Sequence, residues 1–234
     1  MKDATVVLVH GAFADGSSWG NVIPLLEKHG FKVIAVQNPL TSFADDVATT
    51  RRVIDAESGS VILVGHSYGG AVITTAALDR KNVSALVYIA AFGPDEGENL
   101  QTLLKEYPSK ISSALVPDAA GFLYIDRNRF AEVFAADVTE TVLSIMSATQ
   151  KPINSQTFGQ KYDTPAWKTI PSWYLVANDD QAINPNLQHM FAERMGATTR
   201  EVKSSHVPFA SNPDAVADII AAAADAVLAR AAAG

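Results

Sequence analysis

None of the 234 residues is a cysteine. Disulfides, thiolate metal sites and cysteine nucleophiles are therefore excluded, and covalent chemistry would fall to a serine or a carboxylate. Clustered positive charge is also missing, since 18 Lys and Arg stand against 25 Asp and Glu for a formal net charge of −7. Binding to nucleic acid or to an anionic membrane depends on such clusters, so neither is an expected partner. No basic stretch leads into an apolar run and a small-residue cleavage site near the start, and Thr5–Val9 is far too short to cross a bilayer. The expected location is cytoplasmic. With 48% hydrophobic and 18% charged residues the chain can bury a sizeable core, and its length suits one α/β domain.

Within that domain, short β-branched runs alternate with longer amphipathic stretches. Thr5–Val9, Phe31–Val36, Ser60–Val64, Val83–Ala90, Ser172–Ala177 and Thr198–Val202 read as six buried strands. Helical spacing of apolar residues covers Ser18–His29, Phe43–Glu57, Tyr68–Asp79, Pro185–Met195 and Pro213–Ala232. The β-then-α order predicts a mostly parallel sheet with helices on both faces. One stretch breaks the rhythm. From residue 93 to 168 no strand is evident, and helical patches at Arg129–Ala136 and Thr139–Ala148 suggest a small helical cap inserted into a core of residues 1–92 and 169–234.

The strongest chemical signal is Val61-Ile62-Leu63-Val64-Gly65-His66-Ser67-Tyr68-Gly69-Gly70-Ala71, an apolar strand entering G-x-S-x-G and then a helix. The bare pattern arises by chance in on the order of one chain in ten of this length, so its context carries the argument. A nucleophile elbow needs a sharp strand-to-helix turn, with glycines leaving room for a strained serine at the sheet edge. Ser67 would then lie at the positive end of a helix, with the Tyr68 N–H facing an oxygen that gains negative charge. A second strand-to-helix loop, Val9-His10-Gly11-Ala12-Phe13-Ala14-Asp15-Gly16, offers Ala12 as the other oxyanion donor. His10, ending a buried strand, reads as structural.

A serine hydroxyl is a weak nucleophile until a base takes its proton, and an acid usually fixes the tautomer of that base. The order serine, acid, histidine is the one that accompanies an elbow of this kind. Only His189 and His206 follow Ser67. His189 falls on the apolar-periodic helix with Leu187, Met190 and Phe191, whereas His206 sits in Ser204-Ser205-His206-Val207-Pro208, just past the last strand. His206 is the candidate base. The acid should follow the preceding strand, where both Asp179 and Asp180 are in range, each also fit for an ordinary turn or cap.

Taken together, V-L-V-H-G-A-F, V-G-H-S-Y-G-G, L-V-A-N-D-D-Q-A-I and S-S-H-V-P resemble the bacterial esterases related to plant methylesterases and hydroxynitrile lyases, within the α/β-hydrolase superfamily. The likeness runs over nearly the whole chain. It implies Asp180 as the acid, because in that family a small aliphatic residue follows the acid after two positions, as Ile183 follows Asp180 with Gln181 and Ala182 between. It also implies oxyanion donors at Ala12 and Tyr68. Lyase members tend to carry threonine at the position of Gly11 and lysine directly after the histidine, where this chain has Val207. Hydrolysis is therefore the expected reaction, of a small, moderately hydrophobic carboxylic ester or lactone, through a Ser67–His206–Asp180 triad.

No metal or organic cofactor is required for that chemistry. Two alternatives use the same fold: a cofactor-free perhydrolase or haloperoxidase with an identical triad, and a small-molecule receptor that has lost turnover. Phe13, Phe92, Phe122, Tyr124, Phe158 and Trp167 are the aromatic candidates for an apolar pocket, although core packing accounts for each equally well. A monomer or a homodimer is expected.

Overall fold

A strand covered on both faces has no polar side to alternate with, and Thr5–Val9, Val61–Gly65 and Trp173–Ala177 are apolar at nearly every position. The computed structural model describes residue 2 and residues 4–233. Its strands are β1 (Ala4–Val9), β2 (Lys32–Val36), β3 (Ser60–His66), β4 (Val83–Ile89), β5 (Leu115–Pro117), β6 (Phe122–Ile125), β7 (Ile153–Asn154), β8 (Ser172–Ala177) and β9 (Thr198–Val202). Its helices are α1 (Ile23–Lys28), α2 (Phe43–Asp55), α3 (Tyr68–Ala76), α4 (Leu100–Glu106), α5 (Phe130–Val133), α6 (Glu140–Thr149), α7 (Pro185–Arg194), α8 (Pro208–Ser211) and α9 (Pro213–Ala233).

The main sheet has the order β2-β1-β3-β4-β8-β9, and every pairing in it is parallel. All six expected strands are present, and β3 runs two residues beyond its expected end, to His66. Helices α2 and α3 pack together over one face and α1 against α9 over the other. The first helical stretch divides into a 3₁₀ turn, Gly16–Asn21, and α1, because Pro24 fits only the first turn of a helix. From β1 the chain crosses to β2 on one side, and from β3 it proceeds to β4, β8 and β9 on the other. The carboxyl ends of β1 and β3 therefore flank the switch point where a parallel sheet opens a crevice. No helix among the described residues is long and apolar enough to cross a membrane.

The insertion, 93–168, is helical only in part. Besides α4, α5 and α6 it holds an antiparallel sheet of order β5-β6-β7, in a stretch where no strand is evident from the sequence. The strands were hidden by their length, but a turn signal is present. Asp118 accepts hydrogen bonds from the Ala120 and Phe122 N–H groups, each at 2.9 Å, and Gly121 takes φ +83° before the β-favouring run Phe122–Ile125.

Two buried histidines tie loops to the sheet. His10 Nε2 accepts from the Asn38 N–H at 3.0 Å, so the ring proton sits on Nδ1 and is donated to the Gly11 carbonyl at 2.9 Å. His66 Nε2–H donates to the carbonyl of His206 at 2.8 Å, which fixes the loop after β9 against the end of β3. Burial pushes His10 down to about 4, and burial together with the neighbouring His206 holds His66 well below the usual imidazole range.

Both rings are thus neutral when folded and become protonated below about pH 6.5 when unfolded. The unfolded state binds more protons in that window, so stability falls as the pH falls. Between pH 7 and pH 5.5 each buried histidine should withdraw about 1 kcal/mol, roughly 2–3 kcal/mol in all. Urea unfolding at the two pH values measures this directly, and equal free energies would contradict the neutral assignment.

Candidate active site

Gly65-His66-Ser67 makes the turn from β3 into α3, and Ser67 sits there at φ +53°, ψ −124°, a conformation that L-residues avoid. Its surroundings over-determine it. The Ser67 N–H donates to the Ile89 carbonyl at 3.3 Å, while its own carbonyl accepts from the Gly70 and Phe92 N–H groups at 3.0 Å each. The turn also needs missing side chains. A Cβ on Gly65 would stand 2.6 Å from the Gly69 carbonyl oxygen, and one on Gly11 would stand 2.7 Å from Ser67 Cβ.

Three loops at the carboxyl edge of the sheet bring Ser67, His206 and Asp180 together. His206 Nε2 lies 2.8 Å from Ser67 Oγ, and His206 Nδ1 lies 2.6 Å from Asp180 Oδ2. With Nδ1–H donated to the carboxylate, Nε2 is left as an acceptor for the serine proton. All three residues are buried. Asp179, by contrast, is exposed, and His189 is a surface residue of α7 whose ring lies 3.9 Å from Glu201. Ala12 and Tyr68 both face the space in front of Ser67, and no hydrogen bond among the described residues uses either N–H. Tyr68 is the first residue of α3, where backbone donors lack intrahelical partners.

Two contacts around this group were not read from the sequence. Gln188, fully buried on α7, donates through Nε2 to Asp180 Oδ2 at 2.8 Å and to the Ile183 carbonyl at 2.9 Å, while its Oε1 accepts from the Ala177 N–H at 3.0 Å. The other carboxylate oxygen of Asp180 accepts from the Ala182 and Ile183 N–H groups at 2.7 and 2.9 Å. From the insertion, Asp137 accepts from the Ser205 N–H at 2.9 Å and from the Ser205 hydroxyl, anchoring the residue before His206. Burial alone would raise the Asp137 carboxyl, but hydrogen bonds from the surrounding serines hold it below its ordinary value. A helix period places Gln188 on one face of α7 but says nothing of what that face meets. For Asp137 the sequence carried no signal at all.

In front of Ser67 is a narrow cavity of about 30 Å³. Phe13, Phe92 and Phe158 line it, together with Phe134 and Ile111 of the insertion and Ile183 of the acid loop. The Phe134 ring packs against His206 at 5.0 Å and edge-on to Phe13 at 6.2 Å. Phe122, Tyr124 and Trp167 do not line it. Phe122 pairs with Asn154 in the small sheet, and Tyr124 borders a separate surface groove beside Val116. Trp167 donates its indole N–H to the Pro94 carbonyl at 3.1 Å and lies beside Ser172 and Thr198, where β8 and β9 begin. The physical reason is topological: a chain about to enter a parallel strand must first return to the amino edge, opposite the nucleophile.

Comparison with known proteins agrees with this geometry. The model of the alpha/beta hydrolase family matches residues 6–219. The chain is 26% identical to a pyrethroid hydrolase of Sphingobium wenxiniae, over 97% of this chain and 89% of that protein. It is 23% identical to methylesterase 8 of Arabidopsis thaliana, over 94% and 89% of the two chains. The solved structure of a pyrethroid hydrolase from Sphingobium faniae superposes with a TM-score of 0.82 at 25% identity, covering 95% of this chain and 98% of the other. The fold, the serine turn and the extent of the family match together show that this chain belongs to the alpha/beta hydrolase family.

Proposed function

We propose that the chain hydrolyses carboxylic esters, or lactones, of small and moderately hydrophobic character through an acyl-enzyme on Ser67. The observation that carries this reading is the Ser67–His206–Asp180 relay, at 2.8 and 2.6 Å, opening on a cavity walled by hydrocarbon. The names of the relatives, a pyrethroid hydrolase and a methylesterase among them, support an ester as the substrate class.

His206 Nε2 takes the Ser67 proton as Oγ attacks the acyl carbon, and the carbonyl π electrons move onto oxygen. The Ala12 and Tyr68 N–H groups face that oxyanion, and the amino end of α3 adds its dipole. Collapse of the adduct breaks the carbon–oxygen bond to the alkoxide, which leaves with the proton held on His206. Water then enters, gives a proton to His206, and releases the acid while Ser67 recovers its hydrogen. Asp180 keeps the imidazole in the required tautomer and stabilises its cation.

Two measurements test the assignment. A fluorophosphonate probe should modify Ser67, His206→Ala should abolish the modification, and Ser67→Ala should cut turnover of a short-chain aryl ester by at least about 10⁴-fold. Undiminished activity in Ser67→Ala would remove the proposal. Gln188→Leu takes away one hydrogen bond to a buried carboxylate, a loss of about 1.5–3 kcal/mol, and should lower kcat roughly ten- to a hundredfold. Its neighbour His189, exposed on the same helix, should tolerate alanine with activity within about twofold.

A further inference from the structure

The cavity at Ser67 is narrow, with Phe13 in its wall. On the other side of the Phe13 ring lies a surface groove of about 180 Å³. Phe13 is the residue common to the walls of both spaces. One side of the groove is the loop after β1, including Asp15 and Ser18; the other is α6, through Val142, Ile145 and Met146; α8 contributes Phe209 at its floor. Helix α6 has no fully buried residue, and Ile145 is 58% exposed although it faces this groove. An apolar side chain left in water beside a concave surface marks a place where an apolar ligand gains contact.

We infer that this groove is the binding site for the alcohol portion of the ester, an alkyl or aryl group of several carbons, and that the Phe13 ring is the partition which such a substrate displaces. The assignment rests on the ester-hydrolase reading above and adds to it the side on which the leaving group lies. That side follows from the proton. His206 must hand its proton to the departing alkoxide, and α8, which floors the groove, begins two residues after His206. The acyl portion is then left to the cavity walls on the other flank, Leu104, Ile111 and Ile183. Phe13 holds φ +62° and is buried, with its ring edge-on to Phe134, so it is displacement of this ring by the substrate that would join the two spaces.

The test is kcat/KM for acetate esters of ethanol, butanol and hexanol, which share one acyl group. Each methylene buried in the groove should raise kcat/KM about fourfold, so that hexyl acetate exceeds ethyl acetate by roughly 250-fold. Ile145→Glu, at an exposed position that a charge can occupy without unfolding the chain, should cut the hexyl-to-ethyl ratio at least tenfold. Val116→Glu, exposed elsewhere on the insertion, should leave the ratio as it is. A flat alcohol series in an enzyme that turns over esters and is labelled at Ser67 overturns the groove assignment while leaving the ester reading intact. Equal loss in the Ile145→Glu and Val116→Glu variants overturns it too, since charge on the insertion would then be the cause. Absence of turnover on every ester, with Ser67 unlabelled, overturns the ester reading and the groove assignment together.

Discussion

Burying the Asp180 carboxylate strips it of hydration, a cost of several kcal/mol unless protein dipoles replace the lost water. Four donors do so: the Ala182 and Ile183 N–H groups on one oxygen, and the Gln188 amide and the His206 ring on the other. The acid loop, the first turns of α7 and the base are therefore built around one charge. If the imidazole is withdrawn, a buried anion loses a partner. If Gln188 is withdrawn, the Ala177 N–H at the end of β8 loses its acceptor as well. The arrangement links the end of a core strand to the orientation of the base, so the geometry at Ser67 inherits the rigidity of the sheet.

A second arrangement works from the opposite side. His66 donates to the carbonyl of His206, and its ring packs against His206 at 4.7 Å and against Phe209 at 4.8 Å. Were His66 to take up a proton, a cation would sit beside His206, which in the proposed mechanism itself becomes cationic during acyl transfer. Burial keeps His66 neutral and removes that competition. Asp137 does the complementary service from the insertion, holding Ser205 by its backbone and its hydroxyl. The loop carrying His206 is thus held by the core through His66 and by the insertion through Asp137.

Much of this was legible in the chain because it rests on local chemistry. The six strands follow from apolar runs, the serine turn from glycines that no side chain could replace, and His206 from its place between the last strand and the final helices. What escaped were contacts made across the fold. Gln188 reads as one more polar residue in an amphipathic helix until β8 and the acid loop are packed against it. Asp137 lies 68 residues from Ser205 in a segment with no motif. The place of Trp167 is legible in retrospect, since a residue just before a parallel strand belongs at its amino edge. The strands of the insertion are three, four and two residues long, too short for a period of two to declare itself.

The charge inventory of the cavity bears on which chemistry it favours. None of its lining residues is lysine or arginine, and the residue after the base is the fully buried Val207. Negative charge developing on a carbonyl oxygen would therefore meet backbone dipoles alone, and those act at one point, between Ala12 and Tyr68. On the ester hydrolysis proposed above, a departing anion would meet no cation among these lining residues and would leave as the neutral, protonated species, with His206 as the source of the proton. That suits an alcohol, which is a far weaker acid than imidazolium. Gly11 belongs to the same constraint: with a side chain there, Ser67 would be displaced and the oxyanion donor beside it would move. The missing Cβ at Gly11 and the missing cation at Val207 both agree with the acyl transfer proposed above.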